Sequence, residues 1–303
     1  MADSPALLLL AAGLGSRYGG PKQLQPVGPG GETLMDYSVF DAIRAGFQSI
    51  IFVTRPELLA DFESAVASRY RHRLPVDIVL QRLDDLPAGH HPPSERRRPW
   101  GTGQAIWAAR EVVTGPFAVL NADDLYGYPA LTEMSRFLYD RAETDADHWA
   151  VAGYPLSRTL SRVGGVNRAL CQADAEEWLE HLVEIRDIVP DRRGGGIGTF
   201  HGTPMVLAGD DPVSMNLWGF TPSVIGKLGD GFATFLADSG VHEAEYLLPD
   251  AISAMIRTRQ ARVRLLRTDS PWCGLSHSAD RPAVEQFIRR LIADGVYPEQ
   301  LPR

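Results

Sequence analysis

Residues 7–12, Leu-Leu-Leu-Leu-Ala-Ala, form an unbroken apolar run. A run without alternation is the pattern of a strand buried on both faces. Three short strands follow the same logic: Ser49 to Thr54, Val76 to Leu80 and Phe117 to Asn121. Helical spacing lies between them. Leu34 to Ala45 reads as a helix with Thr33 as its cap and Gly46 at its end. Pro56 to Tyr70 reads as a second, with Pro56 near its first turn. A third opens at Gly101-Thr102-Gly103 and turns Ile106, Ala109, Val112 and Val113 toward the core. Strands alternating with helices predict a parallel sheet covered on both faces. Such sheets bind ligands at the carboxyl ends of their strands.

The texture changes further along. Residues 82–100 hold four prolines and no periodicity, which predicts a long loop. Its Arg96-Arg97-Arg98 run reads mainly as a solvated face, with phosphate contact as the alternative. Its His90-His91 pair lacks further ligands at metal spacing. After a helix at Pro129 to Glu143 and a strand at Trp149 to Tyr154, residues 155–220 carry short β-like runs and turns. Gly194 to Gly198 reads there as a mobile hairpin or loop. The chain then predicts helices at Ser223–Ala237 and Glu243–Thr258, a strand at Val263–Thr268 and a last helix at Arg281–Asp294.

Composition narrows the chemistry. The chain has 303 residues, 44% hydrophobic, with a formal net charge of −8. That charge disfavours nucleic acid or an anionic membrane as partner, so a nucleotide must be held by local cations. The apolar run at residues 7–12 is too short to span a bilayer. Two cysteines, Cys171 and Cys273, are too few for a disulfide framework or a cysteine-based zinc site, and they fit a reduced cytosol.

Local cations are found where the first strand ends. Gly13, Gly15, Gly19 and Gly20 surround Arg17 and Lys22. Glycines let successive N–H groups converge on an anion, and two cations deepen that concavity. The spacing is neither that of a P-loop nor that of a dinucleotide-binding fingerprint. The fourth strand ends in Ala-Asp-Asp-Leu-Tyr-Gly, residues 122–127. A carboxylate there suits Mg²⁺, which takes one or two carboxylates plus substrate phosphates.

The stretch Gly13, Gly15, Ser16, Arg17, Lys22, Pro26 and Val27 resembles the N-terminal signature of the sugar-phosphate nucleotidyltransferase superfamily, the NDP-sugar pyrophosphorylases. Trp100 to Ala105 and the Ala-Asp at residues 122–123 extend the likeness. The resemblance implies a three-layer α/β/α Rossmann-like fold with a mostly parallel central sheet and β-rich insertions in the second half. It implies one domain over residues 1–303, with a nucleotide-binding half at 1–154 and an acceptor-binding half plus C-terminal helices at 155–303.

The resemblance also implies roles. Arg17, Lys22 and Asp123 are expected to be catalytic, Asp123 as the Mg²⁺ ligand. Asp124 positions a metal-bound water or caps the next turn. Ala11, Ala12, Gly13, Gly15, Ser16, Gln81, Gly101 and Thr102 are expected at the nucleotide, with Gln81 reading uracil or thymine. Gly165, Glu184, Arg186 and Asn216 are expected at the acceptor, and Asp269 or Asp280 as a second metal ligand. Asp280 also suits the cap of the last helix. The implied reaction transfers NMP from an NTP, UTP or dTTP favoured, to a phosphorylated small molecule, a sugar 1-phosphate first, and releases pyrophosphate. A non-sugar phosphate acceptor and a non-catalytic nucleotide sensor are the alternatives. A glycosyltransferase fits less well, for want of a D-x-D motif. Neither nucleic acid nor a membrane is an expected partner; a homo-oligomer is compatible with the sequence.

Overall fold

A computed structural model describes residues 4–13, 22–141, 146–161, 164–238, 244–275 and 278–302. The four apolar runs become strands: β1 (Ala6–Leu10), β2 (Ser49–Thr54), β3 (Val76–Leu80) and β4 (Phe117–Asn121). They lie in the order β3-β2-β1-β4, all parallel. Leu7 and Leu9 enter one core and Leu8 the other, all fully buried, which is why the run has no polar alternation.

Helices cover both faces. α1 (Leu34–Arg44) begins with a capping box in which Thr33 and Asp36 satisfy each other's backbone N–H. The stretch from Pro56 to Tyr70 is not the single helix its periodicity predicts. It breaks into a 3₁₀ turn, α2 (Leu59–Phe62), a π turn over Glu63–Ala67 and α3 (Ser68–Tyr70). Its docking residues, Phe62, Val66 and Tyr70, still reach the core beside Phe52. The third helix is short: α4 (Thr102–Trp107) tightens into a 3₁₀ turn. α5 (Tyr128–Arg141) follows the two-residue β5 (Asp124–Leu125).

The second half is β-rich, as expected. β6 (His148–Pro155), β7 (Val166–Ala173), β8 (Leu179–Pro190), β9 (Gly196–Phe200), β10 (Thr203–Leu207) and β11 (Pro212–Phe220) extend the sheet. Gly194 and Gly195 lie in the turn of the β8–β9 hairpin, as expected of a hairpin, while Gly196 to Gly198 belong to β9 and pair with β10. β11 joins the two halves. At Val213 and Ser214 it pairs with β7; at Trp218 to Phe220 it pairs with β4. The change of neighbour falls at a register shift between Ser214 and Trp218, where Asn216 takes φ +72°. Asparagine tolerates that left-handed backbone better than most residues.

α6 (Ser223–Leu236) and α7 (Leu248–Arg257) then pack with α4 on one face. α7 starts later than expected, at Leu248, with Pro249 in its first turn. β12 (Arg262–Arg267) pairs with β6, β13 (Cys273–Gly274) pairs with β5, and α8 (Arg281–Ala293) closes a third small core over α1. Asp280 stands at the cap position of α8, but its side chain makes no capping bond.

Candidate active site

β1 and β4 are neighbours in register, Leu10 opposite Asn121, so the chain leaves both at one edge of the sheet. Gly15, Ser16 and Arg17 lie outside the described residues, as do Gly19 and Gly20. The base of the glycine loop is described. Gln23, buried, donates from Nε2 to Ala11 O at 3.0 Å, and Ala11 N–H donates to Val53 O at 2.8 Å. Ala11 is thus part of the loop's frame, with both backbone polar groups already used. Ala12 is buried beside it, and Gly13 is exposed, with no atom of the described residues within 4 Å of where a Cβ would stand.

Lys22 follows at once. Its ammonium pairs directly with Asp123 and donates to Leu275 O at 3.0 Å. Leu275 N–H in turn donates to Asp123 O at 3.0 Å, beside the β13–β5 pairing. Three distant stretches therefore meet at one ion pair. Both side chains stay about a fifth exposed, 23% for Lys22 and 20% for Asp123. The pair is open to a ligand yet fixed from behind.

Asp124 turns inward instead. Its Oδ2 accepts from Asn121 Nδ2 at 3.0 Å and lies 3.2 Å from the Tyr126 hydroxyl. Burial, then the neighbouring Asp123 charge, push its pKa up to about 7. The residue is half-buried, and these bonds of Oδ2 anchor the strand end. Tyr126 donates to Met215 O at 2.7 Å, and Asn216 Nδ2 donates to Asn121 Oδ1 at 3.1 Å. Trp218 Nε1 donates to Asn216 Oδ1 at 2.9 Å. Asn216, expected at the acceptor, is here a strut between β4 and the kink in β11.

The base-side residues do come together. Gln81, 6% exposed at the end of β3, donates from Nε2 to Gly101 O at 2.9 Å and to Gln104 Oε1 at 2.8 Å. Gln104 was not singled out by its sequence position. It is fully buried, and its own Nε2 donates to Arg82 O at 3.3 Å and Asp85 O at 3.2 Å. Those two carbonyls fix which end of Gln104 faces Gln81, and so fix Gln81. The Gln81 amide hydrogens are spent on protein and its Oε1 is left as an acceptor. Gly101 has φ +106°, and a Cβ there would stand 2.6 Å from Tyr246 O, so only glycine suits both needs. Thr102 Oγ1 accepts from Leu248 N–H at 2.9 Å, which places that hydroxyl at the start of α7.

The arginine run behaves unlike a solvated face at one position. Arg96 is 4% exposed, stacks over Trp100 at 3.6 Å, and donates to Pro99 O and Ala244 O. It pins the long loop rather than meeting phosphate.

On the acceptor side, pairing sets Ser214 opposite Ala169 and Ala169 opposite Glu184, one row on one face. Glu184 and Arg186 are exposed and pair with each other at 3.2 Å. Gly165 is exposed, and a Cβ there would lie 3.2 Å from the Asp187 backbone. No bond joins Gly165, Glu184 or Arg186 to Asn216 among the described residues, so the expected acceptor set is spread over β7, β8 and β11.

Among the described residues, no group of three His, Cys, Asp or Glu side chains could hold a metal alone. Asp269 pairs with Arg158 at 3.4 Å, so the expected second carboxylate does not complete such a group. Mg²⁺ requires no such cage when phosphate oxygens and water complete its shell. Asp123 fits as a single carboxylate ligand.

Residues 7–87 match the family model of the MobA-like NTP transferase domain. A solved structure of UDP-glucose pyrophosphorylase complexed with UDP-glucose superposes with TM-score 0.63 at 18% identity, over 95% of this chain and 99% of that one. The inositol-1-phosphate CTP transferase from T. maritima superposes with TM-score 0.63 at 12% identity, over 96% of this chain and 98% of that one. No curated protein sequence matches.

Proposed function

Taking the chain as a member of the nucleotidyltransferase superfamily, by its fold and by the match of residues 7–87, we propose that it transfers NMP from an NTP to a phosphorylated small molecule and releases pyrophosphate. The observation that carries this reading is the ion pair of Lys22 and Asp123 at the shared carboxyl edge of β1 and β4.

The chemistry asks little covalent help from protein. An acceptor phosphate oxygen attacks the α-phosphorus as pyrophosphate leaves, so the rate depends on alignment and on neutralised charge. Lys22 exchanges part of its contact with Asp123 for an α-phosphate oxygen and stabilises charge that builds there. Leu275 O keeps the ammonium aimed during that exchange. Arg17 and the N–H groups of residues 13–16 hold the β- and γ-phosphates. Asp123 would hold Mg²⁺, which when bound supplies charge neutralisation at the phosphate oxygens. Asp124, half-buried and bonded to Asn121 and Tyr126, keeps the strand end from shifting.

Gln81 supports a base with a ring N–H. Its outward atom is the acceptor Oε1, which matches the imide N–H of uracil or thymine and mismatches N3 of cytosine. Guanine N1–H would suit the same acceptor; UTP or dTTP is favoured over it by the resemblance of the site to the NDP-sugar pyrophosphorylases. For the acceptor, Glu184 suits sugar hydroxyls and Arg186 a phosphate, which supports a sugar 1-phosphate; an inositol phosphate offers the same groups. All of 1–303 serves this one reaction as a single domain in this reading, with Mg²⁺ as its cofactor.

Lys22→Ala and Asp123→Ala test it. Each is expected to lower turnover at least about a hundredfold, the scale of losing one preorganised electrostatic group. Near-normal turnover in both variants would remove this mechanism.

A further inference from the structure

Behind Gly101 and Thr102, α6 and α7 part around a cavity of about 530 Å³. That size is in the range of small-molecule sites. Phe235, Tyr246 and Met255 give it apolar walls, and Asp230, Glu245 and Asp250 bring three carboxylates. Its one lysine, Lys227, is already engaged with Asp147 at 3.4 Å. Asp250 faces the like charge of Glu184, and burial together with that charge holds its carboxyl above the usual range. The Tyr246 ring is 7% exposed, and its hydroxyl is buried with no hydrogen-bond partner. That hydroxyl ends against Gly231 on the cavity wall, where a Cβ would come within 2.4 Å of it. A buried phenol without a partner is costly.

We propose that this cavity binds a small organic cation with an apolar body, and that its occupancy changes nucleotide affinity at the base pocket. The second clause rests on the reading of Gln81, Gly101 and Thr102 as that pocket. The aromatic wall would take the apolar body and the face of the cation, and the carboxylates its charge. The link is Tyr246. Its N–H donates to Trp100 O at 2.6 Å and its carbonyl accepts from Gly103 N–H at 2.9 Å. A Cβ at Gly101 or at Gly103 would each stand 2.6 Å from Tyr246. Two residues on, Leu248 N–H donates to Thr102 Oγ1 at 2.9 Å. A ligand that moves the Tyr246 ring moves the Gly101–Gly103 turn, and linkage makes the effect reciprocal.

Phenethylamine is a suitable probe, with 2-phenylethanol and phenylacetate as neutral and anionic controls. Calorimetry is expected to give saturable amine binding, at least about tenfold tighter than either control, the equivalent of ~1.4 kcal/mol. Ala254→Phe, filling the cavity from α7, should abolish binding while the thermal transition stays within a few degrees. Asp250→Asn should weaken it about tenfold, by the same conversion. In the presence of the amine, UTP affinity should shift about fivefold or more, the lower end of ordinary coupling. Equal affinity for the three probes, or binding that survives both variants, overturns the site. Amine binding without any change in UTP affinity overturns the coupling. Gln81→Ala separates the two readings. Lost UTP binding with unchanged amine binding supports both, whereas unchanged UTP binding overturns the base pocket and the coupling with it.

Discussion

Gln81 shows how one side chain acquires meaning from a second. An amide at a strand end can face a ligand with either of its ends. Here Arg82 O and Asp85 O orient Gln104, and Gln104 orients Gln81. Removing the relay should therefore blur base choice without touching the phosphates. Gln104→Leu is expected to lower the UTP-over-CTP ratio of kcat/KM about tenfold, a few-kcal/mol polar mismatch at most. An unchanged ratio would mean that Gln81 does not read the base. Gln81 was singled out through the resemblance, which implies a glutamine at the end of the third strand, at the ligand edge. Gln104 was not legible, because its role depends on carbonyls of the preceding loop, and loop carbonyls carry no sequence signature. The same holds for Asn216. Its residue type fits a sugar contact, but its place at the kink of β11, between Asn121 and Trp218, needs the pairing change that only the fold reveals. Asp123 was legible because it follows an apolar strand almost directly, and Lys22 because it is a cation at the end of the glycine-rich stretch after one.

Elements carry the next level. Gly101 sits where a turn with φ +106° passes against Tyr246 O. Gly101→Ala should raise the KM for nucleotide and lower stability by about 1–3 kcal/mol, the cost of backbone strain at such a site; equilibrium denaturation with steady-state kinetics reads both. A different kind of coupling ties α1 to the segment after α8. Asp41, fully buried, accepts from the Tyr297 hydroxyl at 2.6 Å, while burial lifts its pKa to about 6 against an ordinary 3.8. Between those values the native chain holds a proton that the unfolded chain has lost. Stability from this group is thus complete below about pH 4 and falls as pH rises through 6. Asp41→Asn should remove that part of the slope, on the order of 2 kcal/mol between pH 4 and pH 7 in urea unfolding. A slope unchanged by the substitution would contradict the assignment. Element boundaries followed the hydrophobic pattern closely for β2 and α1 and poorly for residues 56–70. Phe62, Val66 and Tyr70 need only face the core, and a helix that tightens and loosens along its length meets that need as well as a regular one.

At the scale of the whole molecule, the sheet makes the division of labour. Its parallel part, β3-β2-β1-β4, sends the glycine loop, Gln81 and Asp123 to one edge. Its antiparallel part, reached through β11, carries Glu184 and Arg186 on β8. The parallel part was readable from alternation of buried strands and helices. The antiparallel part was readable only as β-rich, because strand order there is set by pairing across long separations. The Lys22–Asp123 pair stands at the carboxyl edge of the parallel part, so the reaction itself is the most direct test. Pyrophosphate release should be measured with Mg²⁺, each of the four NTPs and dTTP, and a panel of sugar and polyol phosphates. The account predicts release only when a uracil or thymine nucleotide and one phosphorylated acceptor are present together. Silence across the panel with no nucleotide binding by calorimetry would contradict it.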